Sequence, residues 1–210
     1  HGRTTGAQMM SGNLEQKKWI GNLDKDIHHL KFPYEWSLNG SSGADFFEEQ
    51  VNNLVASGID PSKDICGMIF ETFQGWGAIF YPKDFVIAAS EFSKKHGILI
   101  AFDEMQSGFG RTGQPFGYMH YGIEPDLLCC GKGMGNGYPL SGVIGKSAVM
   151  DLPEIGNMSS THSANPLACS AGLAVIDEIQ NNNLIDETIR KGKIFREKLD
   201  QIKEKSKNNI

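Results

Sequence analysis

Two short apolar runs, 98–102 (ILIAF) and 127–130 (LLCC), each lead into a glycine-rich turn that carries a charged residue: Asp103 after the first, Lys132 after the second. Both runs are too continuous for a strand with one solvated face, so they predict buried parallel strands. Ligands of open α/β sheets gather at the carboxyl ends of such strands. The pattern therefore delivers an acid and an amine to one rim of one sheet.

Most aspartates and lysines are solvated surface groups, and position is what sets these two apart. Gly131 and Gly133 flank Lys132 with bare backbone, which lets a flat ligand approach and predicts a partly desolvated amine. Desolvation disfavours an ammonium ion and frees the lone pair for attack on a carbonyl, the requirement of a Schiff-base lysine. A phosphate loop is excluded, because Gly133 rather than Ser or Thr follows the lysine and Asp126 stands five residues before Gly131. A dinucleotide fingerprint is excluded too, since its third glycine would fall at Asn136.

The chain of 210 residues is long enough for one sizeable core. A net charge of −5 without a long basic run argues against nucleic acid or an anionic membrane as partner. No apolar stretch reaches the roughly 20 residues that span a bilayer, and no signal peptide is visible. Cys66, Cys129, Cys130 and Cys169 form no CxxC pair and read as buried thiols of a reducing compartment, which predicts a cytoplasmic protein. His1, His28 and His29 lack acidic or thiol partners at ligand spacing, so no metal site is expected.

Residues 1–42, rich in Gly, Ser and Asn, read as loops with short irregular elements. From Gly43 a helix is predicted with Phe47, Val51, Leu54 and Val55 on one stripe and Gly58 as its stop. Residues 65–70 read as a buried strand ending at Glu71. Pro82 opens a second helix with Phe85, Ala88, Ala89 and Phe92 on one face, and Gly97 caps it. Strand, helix and strand over this span make a βαβ unit whose second strand ends at Asp103. Strand alternation turns Glu104 to the opposite face from Asp103, as a structural or solvent-facing acid. Asn165-Pro166 is a strong helix start, and the helix that follows breaks at Asn181-Asn182-Asn183. Ile185, Ile189, Phe195, Leu199 and Ile202 then mark an amphipathic helix.

Three segments taken in order, FDEMQSGFGRTG (102–113), PDLLCCGKGMGNGYPLSGVIG (125–145) and THSANPLACSAGLA (161–174), resemble the class III aminotransferases. These are pyridoxal-phosphate-dependent enzymes of fold type I, including the ornithine, acetylornithine and 4-aminobutyrate enzymes. The intervals of 29 residues from Asp103 to Lys132 and 29 more to Thr161 are close to the family's.

The resemblance implies an α/β fold, three-layer α/β/α with a mostly parallel sheet, truncated at both ends: 1–164 as the central part of the cofactor-binding large domain, 165–210 as helices leading toward a small domain. It implies pyridoxal 5'-phosphate held by Lys132 as a Schiff base, with the same amine acting as the proton-moving base. Asp103 would face the ring nitrogen, where a buried carboxylate keeps a pyridine protonated. Gln106 would donate to the ring's phenolic oxygen and Met105 would pack on the ring face. Glu71 would stand in the cofactor site. His1, in what resembles an aromatic-His-Gly-Arg-Thr motif, would lie near the cofactor. Thr161 would bind the cofactor phosphate of a neighbouring subunit, which implies a homodimer with shared sites. Arg111 is left out of the site as a structural residue of its turn.

Residues 71–82 (ETFQGWGAIFYP) resemble the family's Glu-Pro-x-Gln-Gly-Glu-Gly-Gly motif, with Thr72 in place of the proline and Trp76 in place of the second glutamate. In the ornithine and 4-aminobutyrate enzymes that glutamate pairs with an arginine to gate two kinds of carboxylate substrate. An indole is a donor only and cannot accept such an ion pair. Trp76 reads either as core packing or as a wall for an apolar or cyclic substrate. The reaction implied is transfer of an amino group from an amine or amino acid to a 2-oxo acid or aldehyde, in ping-pong fashion. An aminomutase, a decarboxylating transaminase and a non-catalytic dimerisation module stand as alternatives.

Overall fold

The computed structural model describes residues 1–206. In chain order the elements are α1 (Thr5–Met10), α2 (Glu35–Leu38), α3 (Gly43–Ala56), α4 (Pro61–Asp64), β1 (Gly67–Glu71), β2 (Phe73–Gln74), β3 (Ile79–Phe80), α5 (Lys83–His96), β4 (Leu99–Asp103), β5 (Leu127–Cys130), β6 (Gly142–Gly145), α6 (Ser147–Met150), α7 (Pro166–Asn181) and α8 (Leu184–Ser206). Short 3-10 turns lie at Glu15–Lys17, Gly117–Tyr121 and Lys132–Gly135. The chain divides into two compact units: His1–Cys66 with Ile79–Ile98, and Gly67–Ala78 with the chain from Leu99 onward.

In the first unit residues 1–42 carry only one- to two-turn helices, as their composition predicts. Helix α3 begins where Ser42 Oγ accepts the Asp45 N–H at 3.0 Å, satisfying one of the orphan donors of the first turn. Its buried stripe is led by Phe47, 1% exposed, which meets Phe85 edge-on at 5.4 Å and Phe92 at 5.7 Å on α5. The helices approach closely because position 43 is glycine: a Cβ there would stand 2.8 Å from Pro82 Cβ and 3.0 Å from the Phe85 nitrogen. Pro82 occupies the N-cap of α5 rather than its first turn, because its ψ of 135° is still extended. Gly97, at φ 70°, closes α5 in the left-handed conformation that glycine adopts without steric cost.

The second unit is built on a four-stranded sheet in the order β1-β4-β5-β6. The first three strands are parallel and β6 runs antiparallel to β5. Along β4, Ile100 and Phe102 are buried while Leu99 and Ala101 are half-buried, and β5 alternates in the same way. The central strands are therefore covered on both faces, though unequally. Phe102 anchors this core against Phe70, Tyr118 and Tyr121. Edge strand β6 leaves Val143 and Ile144 exposed.

Strand β1 begins at Gly67, in register with Leu99, rather than at residue 65, and it includes Glu71. Cys66 falls outside it and is exposed, so the reading of Cys66 as a buried thiol is corrected: without a ladder partner its segment has no sheet to shelter it. Cys130 is buried, and Cys129 and Cys169 are half-buried.

Asn165 caps α7 by accepting the N–H groups of Leu167 and Ala168, with Pro166 in the first turn. Helix α7 comes close to the Lys132–Gly135 turn through Gly172, where a Cβ would meet Leu140 Cδ2 at 2.8 Å. Ile185 and Ile189 of α8 lie against Gly110 and Gly113, although Ile189, like Phe195, Leu199 and Ile202, is exposed. Among the described residues, no helix is long and apolar enough to cross a membrane.

Candidate active site at the strand ends

Parallel pairing sets Glu71 and Asp103 directly opposite each other on β1 and β4, and pairs Asp103 with Cys129 on β5. All three stand at the carboxyl ends of their strands, so the register alone brings two carboxylates to one rim. Asp103 is 4% exposed, and its Oδ1 accepts the Met105 N–H at 3.1 Å, which turns the chain out of the strand.

Glu71 is half-buried and accepts the Gly75 N–H at 3.1 Å. Burial raises its pKa above the ordinary carboxylate value and the neighbouring Asp103 adds to the rise, while the Gly75 hydrogen bond and the charge of Lys132 oppose it. The charge of Lys132 thus reaches Glu71. Burial likewise pushes the Cys130 thiol up to about 11.

Beyond β5 the chain passes through Gly131, which is buried beneath Met105: a Cβ at position 131 would collide with the Met105 sulfur. Lys132 itself sits at φ 43°. A left-handed conformation costs a lysine about 1–2 kcal/mol. A Cβ at Gly133 would meet nothing within 4 Å, so the position after the lysine is open. Lys132 is exposed rather than partly desolvated, correcting the expectation, because its two glycine neighbours have no side chains with which to cover it.

Gln106 and Glu71 converge on Gly75, where a Cβ would stand 2.6 Å from Gln106 Nε2 and 3.0 Å from Glu71 Oε1. A side chain there would have to displace the ends of both. The next residue, Trp76, is 80% exposed, which removes its reading as core packing. Thr161 lies exposed in the irregular turn before α7, and His1 lies exposed in the first unit. The structure therefore gathers Asp103, Glu71, Met105, Gln106 and Lys132 around one set of strand ends, with Trp76 on the turn that Glu71 holds.

The side chains beneath this rim were not legible as a group. Glu104, 1% exposed, is no solvent-facing acid: it accepts from the Thr72 and Ser107 hydroxyls and from the backbone N–H groups of Gly117 and Tyr118. The Ser107 spacing of three residues was the one local signal. Thr72 and the 117–118 turn come from distant parts of the chain.

The model of the family described as aminotransferase class-III matches residues 1–210. The chain belongs to the class III aminotransferases. Among curated members, it is 32% identical over 204 residues to a probable 4-aminobutyrate aminotransferase of Bacillus subtilis, covering 94% of this chain and 47% of that protein. It is 35% identical over 201 residues to an acetylornithine aminotransferase of Archaeoglobus fulgidus, covering 95% and 48%. The solved taurine:2-oxoglutarate aminotransferase of Bifidobacterium kashiwanohense, in complex with PLP and glutamate, superposes with a TM-score of 0.88 at 25% identity over 98% of this chain and 48% of that one. This class III aminotransferase chain spans about half the length of the curated relatives it matches. Its fold is the α/β/α fold of the transaminases, with the mostly parallel sheet that the two apolar runs predict.

Proposed function

We propose that the protein is a pyridoxal-phosphate-dependent transaminase that moves an amino group from an amine or amino acid to a 2-oxo acid or aldehyde. The observation that carries this reading is the rim itself: a buried Asp103 between Glu71 and Cys129 on paired strands, with Lys132 strained on the turn after the next strand.

These residues suit the cofactor. A flat cationic heterocycle needs a carboxylate at its ring nitrogen, an amine near its aldehyde carbon and apolar contact on its face. Asp103, Lys132 and Met105 supply those three, and the open side of Gly133 leaves space beside the amine. When bound, the cofactor supplies the electron sink for the bond broken at the substrate's Cα.

The chain's own residues do the rest. Asp103 holds a proton at the ring nitrogen, and its burial keeps that interaction strong. Lys132 would hold the cofactor through Nζ and would supply the base that moves a proton at the substrate's Cα. Gln106 donates to the phenolic oxygen, and Glu71 with Gly75 holds the adjoining turn. Thr161 serves the phosphate of a partner subunit in a homodimer. Trp76 offers an apolar wall to an aromatic or cyclic part of the substrate.

Borohydride reduction of the protein loaded with pyridoxal phosphate, followed by peptide mapping, tests the reading. The label is expected on Lys132. Recovery on another lysine would refute it.

A further inference from the structure

Glu104 follows Asp103 in the chain, and its two ends are held from different directions. Its backbone N–H donates to the Cys129 carbonyl on β5 at 2.9 Å. Its carboxylate, inside the unit, takes the Ser107 hydroxyl at 2.7 Å, the Gly117 N–H at 2.9 Å, the Tyr118 N–H at 2.8 Å and the hydroxyl of fully buried Thr72. The Thr72 carbonyl, on the backbone rather than the side chain, accepts the Tyr121 hydroxyl at 2.6 Å. The packing has no slack: a Cβ on Gly117 would stand 2.7 Å from Thr72 Cγ2 and 2.9 Å from Ser107 Cβ.

A buried carboxyl group is tolerated only where hydrogen bonds replace water, and four donors do so here. Such a network also removes rotational freedom from the peptide between Asp103 and Glu104. Fixed groups aimed at a ligand gain strength because nothing has to reorganise when the ligand arrives. Of the four donors, only Thr72 comes from the strand end that also carries Glu71.

We propose that Thr72 and Glu104 are positioning residues, whose buried hydroxyl–carboxylate contact presets the direction of the Asp103 carboxylate toward the ring nitrogen of pyridoxal phosphate. The inference rests on the functional reading above and adds residues that do not touch the cofactor.

Thr72→Val keeps the methyl packing and deletes the hydroxyl; Thr72→Ser restores the hydroxyl alone. Tyr121→Phe removes a buried hydrogen bond of the same strand end without touching Glu104. The readouts are the dissociation constant for pyridoxal phosphate and the pH at which the absorbance of the bound cofactor changes. Thermal unfolding of the cofactor-free protein is followed in parallel. Thr72→Val is expected to bind roughly tenfold more weakly, the scale of one hydrogen bond to a charged group, with a shifted pH transition. Thr72→Ser returns both toward wild type, and Tyr121→Phe lowers the melting temperature while leaving both unchanged. Should Thr72→Val fail to fold, Glu104→Gln, similar in volume, is put through the same measurements, with the same weakening expected.

Wild-type affinity and an unchanged pH transition in Thr72→Val, or in Glu104→Gln standing in for it, overturn the inference alone. So does a loss that Thr72→Ser fails to restore, or one that Tyr121→Phe shares. A wild-type protein that takes up no pyridoxal phosphate overturns the functional reading and this inference with it.

Discussion

The Gly117 backbone N–H donates to Glu104 Oε2 at 2.9 Å, tying the end of the strand that carries Asp103 to a turn thirteen residues further along. Replacing Glu104 by Ala would leave four donors without their acceptor inside the fold. With each unsatisfied buried donor costing on the order of 1–3 kcal/mol and partial relaxation expected, the loss should be about 3–5 kcal/mol in urea unfolding. A loss below about 1 kcal/mol would show that water replaces the carboxylate.

Glu71 gives stability a specific pH dependence. Burial first, and Asp103 after it, raise its folded pKa above the ordinary 4.5, so the folded protein keeps this proton to higher pH than the unfolded chain does. The contribution is fully present below the unfolded value and is lost as pH rises through the folded one. Glu71→Gln, which cannot titrate, should flatten that part of the stability curve. Parallel curves for the two proteins above pH 4.5 would contradict the assignment.

Cysteine alkylation should be strongly site-selective. Cys66 is exposed, whereas Cys130 is buried with its thiol pushed up to about 11. Only the thiolate reacts, so near pH 8 iodoacetamide should label Cys66 first and Cys130 only on unfolding. Mass mapping of a time course reads this directly, and early label on Cys130 would count against its burial.

The contact between α3 and α5 in the first unit depends on Phe47. Phe47→Ala removes a ring packed edge-on against two others and should cost about 3–5 kcal/mol. Val55→Ala on the same helix, largely exposed, should cost under about 0.5 kcal/mol. Equal losses in the two variants would place the core elsewhere.

Trp76 offers a test of donor choice. Exchanging it for Glu puts an acceptor where the indole now stands exposed. Turnover should move from aromatic or cyclic amines toward donors carrying a second charged group, by roughly tenfold in the ratio of kcat/KM values. The donor profile, measured with pyruvate and with 2-oxoglutarate as acceptor, checks it; an unchanged profile would remove Trp76 from the substrate site.

Sequence reading carried far where the signal was local. The apolar runs at 98–102 and 127–130 became adjacent parallel strands, Gly97 closed its helix, and Asn165-Pro166 started another, because periodicity, caps and turns act over a few residues. Asp103 and Lys132 stood out for the same reason. The exposure of Cys66 and of Lys132 did not, since exposure depends on what other segments lay over a residue.

By itself, the order of residues determined the central strands, the longer helices, the family and the two charged residues at the strand ends, all encoded in short spans. Only the tertiary structure decided that Glu71 faces Asp103, that Gly75 lies under both Glu71 and Gln106, and that the Glu104 side chain is interior and held by Thr72, Ser107, Gly117 and Tyr118. Those relationships join residues up to 46 positions apart, from Thr72 to Tyr118. They exist because parallel register and close packing bring such residues together, and neither leaves a trace in the neighbouring sequence.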